Sequence, residues 1–158
     1  MTLHFEEFAK PDAPVTALFM RSFKAPPPDH PRHFVALHVA PVGREVCAYV
    51  HLTPLEHDVF LLGGLCVDPS IYRRMTPGER HEVAGHGSMS RWLLAQSIEL
   101  AGSKRAVFAY TGNALTRRDC LALGFLAAAG PYLLVQWHDQ PASERDALIR
   151  RVERLGPF

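Results

Sequence analysis

Two glycines stand one residue apart in Glu82-Val83-Ala84-Gly85-His86-Gly87-Ser88, between two long apolar runs. Glycine lets a backbone turn tightly and come close to a ligand. The start of a helix leaves N–H groups without partners, and its dipole favours negative charge. A strand, a glycine-rich turn and a helix therefore make a cradle for a phosphate or pyrophosphate. His81, Glu82 and His86 nearly spell the zinc motif H-E-x-x-H, with one residue too many. At about 100° per residue, an i, i+5 spacing turns the second histidine about 140° away, so no metal site is expected. No lysine follows the glycines, which argues against a P-loop for nucleoside triphosphates.

The elements that must position this turn can be read from periodicity. Residues 59–67 form an apolar run suited to a strand buried on both faces. Residues 69–81, with Arg73, Arg74 and Arg80, read as a polar loop. Residues 88–101 form a helix that Gly102 stops. Residues 105–111 are a strand. Asn113 or Thr111 caps a helix to Leu123, ended by Gly124. Residues 132–137 are another strand, and Ser143 caps a last amphipathic helix with Leu148, Ile149, Val152 and Leu155 on one stripe. Upstream, residues 13–23 fit a helix, and Ala25-Pro26-Pro27-Pro28-Asp29-His30-Pro31 is a stiff loop. Residues 34–39 and 46–52 are strands joined through the hairpin signal Pro41-Val42-Gly43-Arg44. The expected fold is α/β (α+β, with a mixed sheet): a central sheet flanked by helices, with an extra C-terminal helix.

Length and charge narrow the classes. The 158 residues suit a single domain, 1–158, and a net charge of +1 provides no basic field for nucleic acid. No run approaches the roughly 18 apolar residues of a membrane span. Glu6 and Glu7 stand where a secretory signal carries Lys or Arg. Cys47, Cys66 and Cys120 are odd in number and far apart, which points to a reducing compartment, with the cytoplasm as the default. The basic residues of the last helix alternate with Glu144, Asp146 and Glu153, as on a packed surface helix rather than a nucleic-acid arm.

The order of these elements resembles the GNAT family of acyl-CoA-dependent N-acetyltransferases. The resemblance covers about residues 59–137. It rests on Leu65-Cys66-Val67-Asp68-Pro69, on the glycine turn, which is similar to the family's R/Q-x-x-G-x-G/A, and on Asn113 followed by Leu123-Gly124-Phe125. The resemblance implies that the strands ending at Val67 and near Thr111 splay apart around an acyl-CoA thioester. Cys66 and Val67 would then pair with pantetheine. The N–H groups of Val83, Ala84, Gly85, His86, Gly87 and Ser88 would hold the pyrophosphate, and Asn113 would contact the cofactor arm. Gly63-Gly64 would mark a bulge aiming an N–H at the thioester carbonyl.

The activity implied by this resemblance is transfer of an acyl group, most simply acetyl from acetyl-CoA, to a primary amine of a small molecule or a protein; a homodimer is compatible with it. The alternative is a degenerate GNAT-fold module that binds CoA and regulates or interacts. Three departures from the pattern matter. Glu82 replaces Arg or Gln, with Arg80 or His81 as substitutes for the missing cation. The 69–85 segment is about ten residues longer than usual. Cys120 stands where many members carry a Tyr general acid. Cys120 is thus the acid candidate, set against the role of small core residue. His51, Glu56, His57 and Tyr110 are base candidates by strand position.

Overall fold

The computed structural model describes residues 3–29, 32–41 and 43–158. Its strands are β1 (Leu3–Phe8), β2 (Arg32–Ala40), β3 (Gly43–Glu56), β4 (Val59–Val67), β5 (Ala106–Tyr110), β6 (Leu126–Ala129) and β7 (Leu133–Trp137). They form one sheet in the order β1-β2-β3-β4-β5-β7-β6. Every pair is antiparallel except β4–β5, which is parallel. The mixed sheet is therefore as expected from the alternation of strands and helices. β6 is an addition: Leu126-Ala127-Ala128-Ala129 has weak strand propensity and is set by pairing with β7.

Helix α1 (Ala13–Phe23) has the bounds its periodicity predicts. Asp12 caps it, and Val15, Leu18 and Phe19 are buried. Helices α4 (Met89–Leu100) and α5 (Ala114–Ala122) cover the opposite face of the sheet, where Met89, Trp92, Leu93 and Leu94 enter the main core. Helix α6 (Ala142–Glu153) packs Leu148 and Val152 against Val59, Phe108 and Val135. It starts one residue before Ser143, with no side-chain cap. The hairpin signal is honoured by the β2–β3 pairing, although Val42, like His30 and Pro31 of the proline loop, lies outside the described residues. Among the described residues no helix is long and apolar enough to cross a membrane.

The segment expected to be a polar loop is instead two short helices, α2 (Pro69–Arg74) and α3 (Pro77–Gly85). Each start has a cap followed by proline at the first helical position. Asp68 accepts from the Ser70 N–H at 2.8 Å. Thr76 and Glu79 form a reciprocal capping box. His38 on β2 lies 3.1 Å from Glu79 through Nε2, which ties α3 to the sheet. These caps outweigh the polar composition that disguised the helices.

Candidate functional site: a groove from the strand splay to a helix N-terminus

β4 and β5 pair in register from Val59 with Ala106 to Leu62 with Ala109, and there the pairing stops. A bulge in β4 accompanies the parting. Tyr49 faces Cys66 and His51 faces Gly63, so three steps on β4 answer two on β3. Gly64 sits in the bulge at φ +65°, and a Cβ there would lie 2.6 Å from the rings of His51 and Phe19. Both the left-handed backbone and the contact require glycine.

Past the bulge, a cavity of about 280 Å³ opens between Gly63 to Leu65 on β4 and Tyr110 to Asn113 beyond β5. A second, of about 350 Å³, lies along Cys66 and Val67 opposite Leu115. A third, also about 350 Å³, covers Val83, Ala84 and the start of α4. The first and second share Phe23, Leu65, Asn113 and Thr116; the second and third share Val67, Ser90 and Leu115. Together they form one groove from the splay to the α4 N-terminus.

The glycine turn lies further along the chain than its motif implied. α3 continues through Gly85, so the N–H groups of Val83, Ala84 and Gly85 belong to the helix. The N–H groups of His86 and Gly87 donate back to the carbonyls of Val83 and Ala84 at 3.1 and 2.9 Å. Gly87, at φ +87°, makes the turn. Ser88 then caps α4, its Oγ accepting from the Arg91 N–H at 3.0 Å. Of the six expected donors only Ser88 keeps its N–H outside the helix ladder, joined by Met89 and Ser90 of the first turn.

Beneath this turn lies Asp119, with no exposed surface. Its Oδ2 accepts from Ser88 Oγ at 2.8 Å and Ser90 Oγ at 2.5 Å. Its Oδ1 accepts from Arg91 at 3.3 Å and Arg118 at 3.2 Å. Burial opposes the charge, but the hydroxyls of Ser90 and Ser88 and the Arg118 guanidinium outweigh it and hold the carboxyl below its usual range. Arg118 lines the third cavity, and the Arg91 guanidinium packs against Gly87. These two are the cations at the turn. Arg80 instead donates to the Arg73 carbonyl. Glu82 does not line the groove.

The remaining candidates divide. Tyr110 lines the first cavity. Asn113 lines it too, while its Oδ1 caps α5 by accepting from Leu115 and Thr116. His51 is buried behind Gly63, where a Cβ would meet its Nε2 at 2.8 Å. Its Nδ1 lies 3.3 Å from the Tyr49 hydroxyl, which is 2.7 Å from His33 Nδ1. Cys120 is not brought to the groove. It is fully buried in the main core, where desolvation and then the Asp119 charge push its thiol up to about 12. Glu56 pairs with Arg151 at the far end of the β3–β4 hairpin, with His57 in the turn beside it.

Sequence reasoning missed Phe158 and Asp119. A terminal aromatic carries no motif, and Asp119 reads as one more polar residue in a helix until its partners are seen. The Ser88-x-Ser90 pair next to Arg91 was the available hint.

A mixed sheet with one splayed parallel pair, crossed by a groove ending at a helix N-terminus, defines the fold of the GNAT acetyltransferases. A Lactobacillus plantarum protein assigned as an N-acetyltransferase superposes with a TM-score of 0.59 at 16% identity, over 87% of this chain and 99% of its own. A GNAT-family acetyltransferase from Streptococcus pneumoniae gives 0.54 at 15%, over 86% and 99%. A mutant of the toxin AtaT, bound to the C-terminus of the antitoxin AtaR, gives 0.51 at 18%, over 96% and 98%. No family model matches the chain, and no curated protein matches it in sequence.

Proposed function

We propose that this chain is a GNAT-type acyltransferase that moves an acyl group, acetyl in the simplest case, from acyl-CoA to a primary amine. The observation that carries the reading is the continuous groove from the β4–β5 parting to the α4 N-terminus. Its chemistry, a free strand edge leading to exposed N–H groups at a helix start, suits an acyl-pantetheine arm ending in a pyrophosphate. The N–H groups of Ser88, Met89 and Ser90, with Arg118 beside them, would hold the diphosphate. The unpaired edge of β4 at Cys66 and Val67 would hold the arm, and Asn113 would flank it. When bound, acyl-CoA supplies an activated acyl group at the splay.

There the chain's own part is positioning and charge stabilisation. Holding the amine and the acyl carbon together in the gap supplies much of the rate. A backbone donor freed by the Gly64 bulge would stabilise the oxyanion. His51, buried behind Gly63 outside the residues that line the first cavity and backed by Tyr49 and His33, is the group we assign to take the amine proton through a water. Burial of Cys120 favours one other reading, a module of this fold that binds CoA without turnover.

Thermal unfolding with and without acetyl-CoA tests the proposal. Ligand at about 100 times its Kd adds about 2.7 kcal/mol. Absence of a shift at millimolar acetyl-CoA removes the acyl-CoA reading. A shift with no thiol release across a panel of amines selects the binding module. His51→Gln should keep the shift while slowing thiol release about a hundredfold.

A further inference from the structure

A line of polar groups runs through the apolar layer under α1. In the β2–β3 register His33 stands opposite His51, and Tyr49 lies two residues before His51, so the three side chains share one face of the sheet. All three are buried, and Val15, Leu18 and Phe19 of α1 pack on that face. The Phe19 ring is edge-on to Tyr49 at 5.4 Å and stands 6.2 Å from His51. The Tyr49 hydroxyl lies between two ring nitrogens, 2.7 Å from His33 Nδ1 and 3.3 Å from His51 Nδ1. At the end of the line His51 Nε2 stands against Gly63, which lines the splay cavity. Around the three rings, β4 presents the Cys66 thiol, α1 and β1 present Val15, Phe19 and Phe8, and the carboxyl end of Phe158 packs at Gly63. Burial, and then the Cys66 thiol, push the Tyr49 phenol well above its usual range, so it keeps its hydrogen.

A tyrosine hydroxyl has one hydrogen to give. Between two Nδ1 atoms it donates to one, and the other must then donate to it. The two histidines therefore carry opposite tautomers when neutral. A charged His51 has hydrogen on both nitrogens and fits one arrangement: Nδ1–H donates to the Tyr49 oxygen, and the hydroxyl donates to His33. A charged His33 fits only the reverse. From this geometry we infer that Tyr49 joins His33 and His51 into a unit that holds one proton, with Tyr49 and His33 as positioning residues for the proton acceptor. The forward arrangement sets His51 in the Nδ1–H tautomer, so that Nε2 takes the amine proton. The cation formed there is buried and needs an acceptor on Nδ1. The Tyr49 oxygen is that acceptor, and it accepts more strongly because its hydroxyl donates on to His33. The 3.3 Å contact shortens as the charge forms. The proton stays on His51 and no O–H bond breaks. A proton on His33 reverses both hydrogen bonds, moves the His51 hydrogen to Nε2 and stops transfer.

The inference rests on the acyl-transfer reading, but the tautomers are read without turnover. Isotopically labelled histidine in the intact protein, followed by long-range proton–nitrogen NMR from about pH 5 to about pH 9, reports which nitrogen of each ring holds hydrogen. The expected result is Nδ1–H on His51, Nε2–H on His33, and uptake of a single proton by the two rings, which titrate as a pair. Matching tautomers, the reverse pair, or charging of both rings together overturns the inference. Tyr49→Phe should uncouple the two rings in the same spectra. It should keep the acetyl-CoA thermal shift, hold KM for the fastest amine of the panel within about twofold and lower kcat about tenfold. If Tyr49→Phe unfolds the protein, the tautomers of the unaltered chain decide alone. A persisting acetyl-CoA shift with unchanged kcat in Tyr49→Phe overturns the positioning role and leaves acyl transfer standing. Absence of an acetyl-CoA shift in the unaltered chain overturns both.

Discussion

Asp119 is a carboxylate without exposed surface, set behind a helix start that we read as an anion site. At first sight its charge opposes a bound pyrophosphate. Its contacts favour a different role: it holds the hydroxyls of Ser88 and Ser90 inward and fixes Arg91 and Arg118 at the turn, leaving the sign of the local charge positive. Asp119→Asn places an amide donor among four donors. Loss of charge-assisted bonds of about 1.5–3 kcal/mol, discounted for the exposed Arg118, should cost stability of about 2 kcal/mol. Affinity for acetyl-CoA should fall about tenfold, while affinity for S-acetylpantetheine, which lacks the pyrophosphate, stays unchanged. Tighter acetyl-CoA binding by the variant, measured by calorimetry, would show that the carboxylate works against the ligand.

At the scale of elements, the bulge in β4 does two things with one extra residue. It ends the pairing with β5, which opens the gap, and it brings the backbone close beneath the rings of His51 and Phe19. Gly64→Ala meets both a left-handed φ and a contact of 2.6 Å. Destabilisation of about 2 kcal/mol in urea unfolding is expected, above the usual glycine-to-alanine effect at compatible sites. Retention of full stability would mean the bulge can relax into ordinary strand geometry, and thiol release by the variant would then be unimpaired. The α2–α3 pair is the other informative element. Its caps convert a polar stretch into helices and carry the Gly87 turn to the end of the groove.

For the molecule as a whole, three carboxylates among the described residues are held below their usual range. In Glu7 the Arg32 hydrogen bond lowers the carboxyl against a smaller desolvation effect. In Asp68 burial is the largest effect and opposes ionisation, but bonds from Ser70 and the charge of Arg21 outweigh it. Asp119 follows the same pattern through its serines and Arg118. Each binds its proton less tightly folded than unfolded. The unfolded chain therefore takes up more protons as pH falls through the ordinary carboxylate range near ~4. Stability should be level in this respect above about pH 5 and decline below about pH 4, with a shallower decline in Asp119→Asn. An equal acid slope in the variant would show that Asp119 is not among the responsible groups.

The sequence by itself determined the local features. Apolar periodicity set α1 and β4 to their observed bounds, the cap of α5 was narrowed to Asn113 or Thr111 and is Asn113, and Gly63-Gly64, where the GNAT resemblance implied a bulge, carries one. These depend on neighbours a few residues away, so they are legible along the chain. Two short helices were readable from Asp68-Pro69 and Thr76-Pro77, but polar composition hid them. Only the tertiary structure decided what faces the groove. Whether Cys120 enters the core, whether Glu82 points away, and whether Arg118 rather than Arg80 reaches the turn depend on how α3, α4 and α5 pack on the sheet. Asp119 meeting Ser88 and Phe158 meeting Tyr110 are contacts across 31 and 48 residues. Contacts at that separation are fixed by the packing of whole elements, which no local pattern encodes.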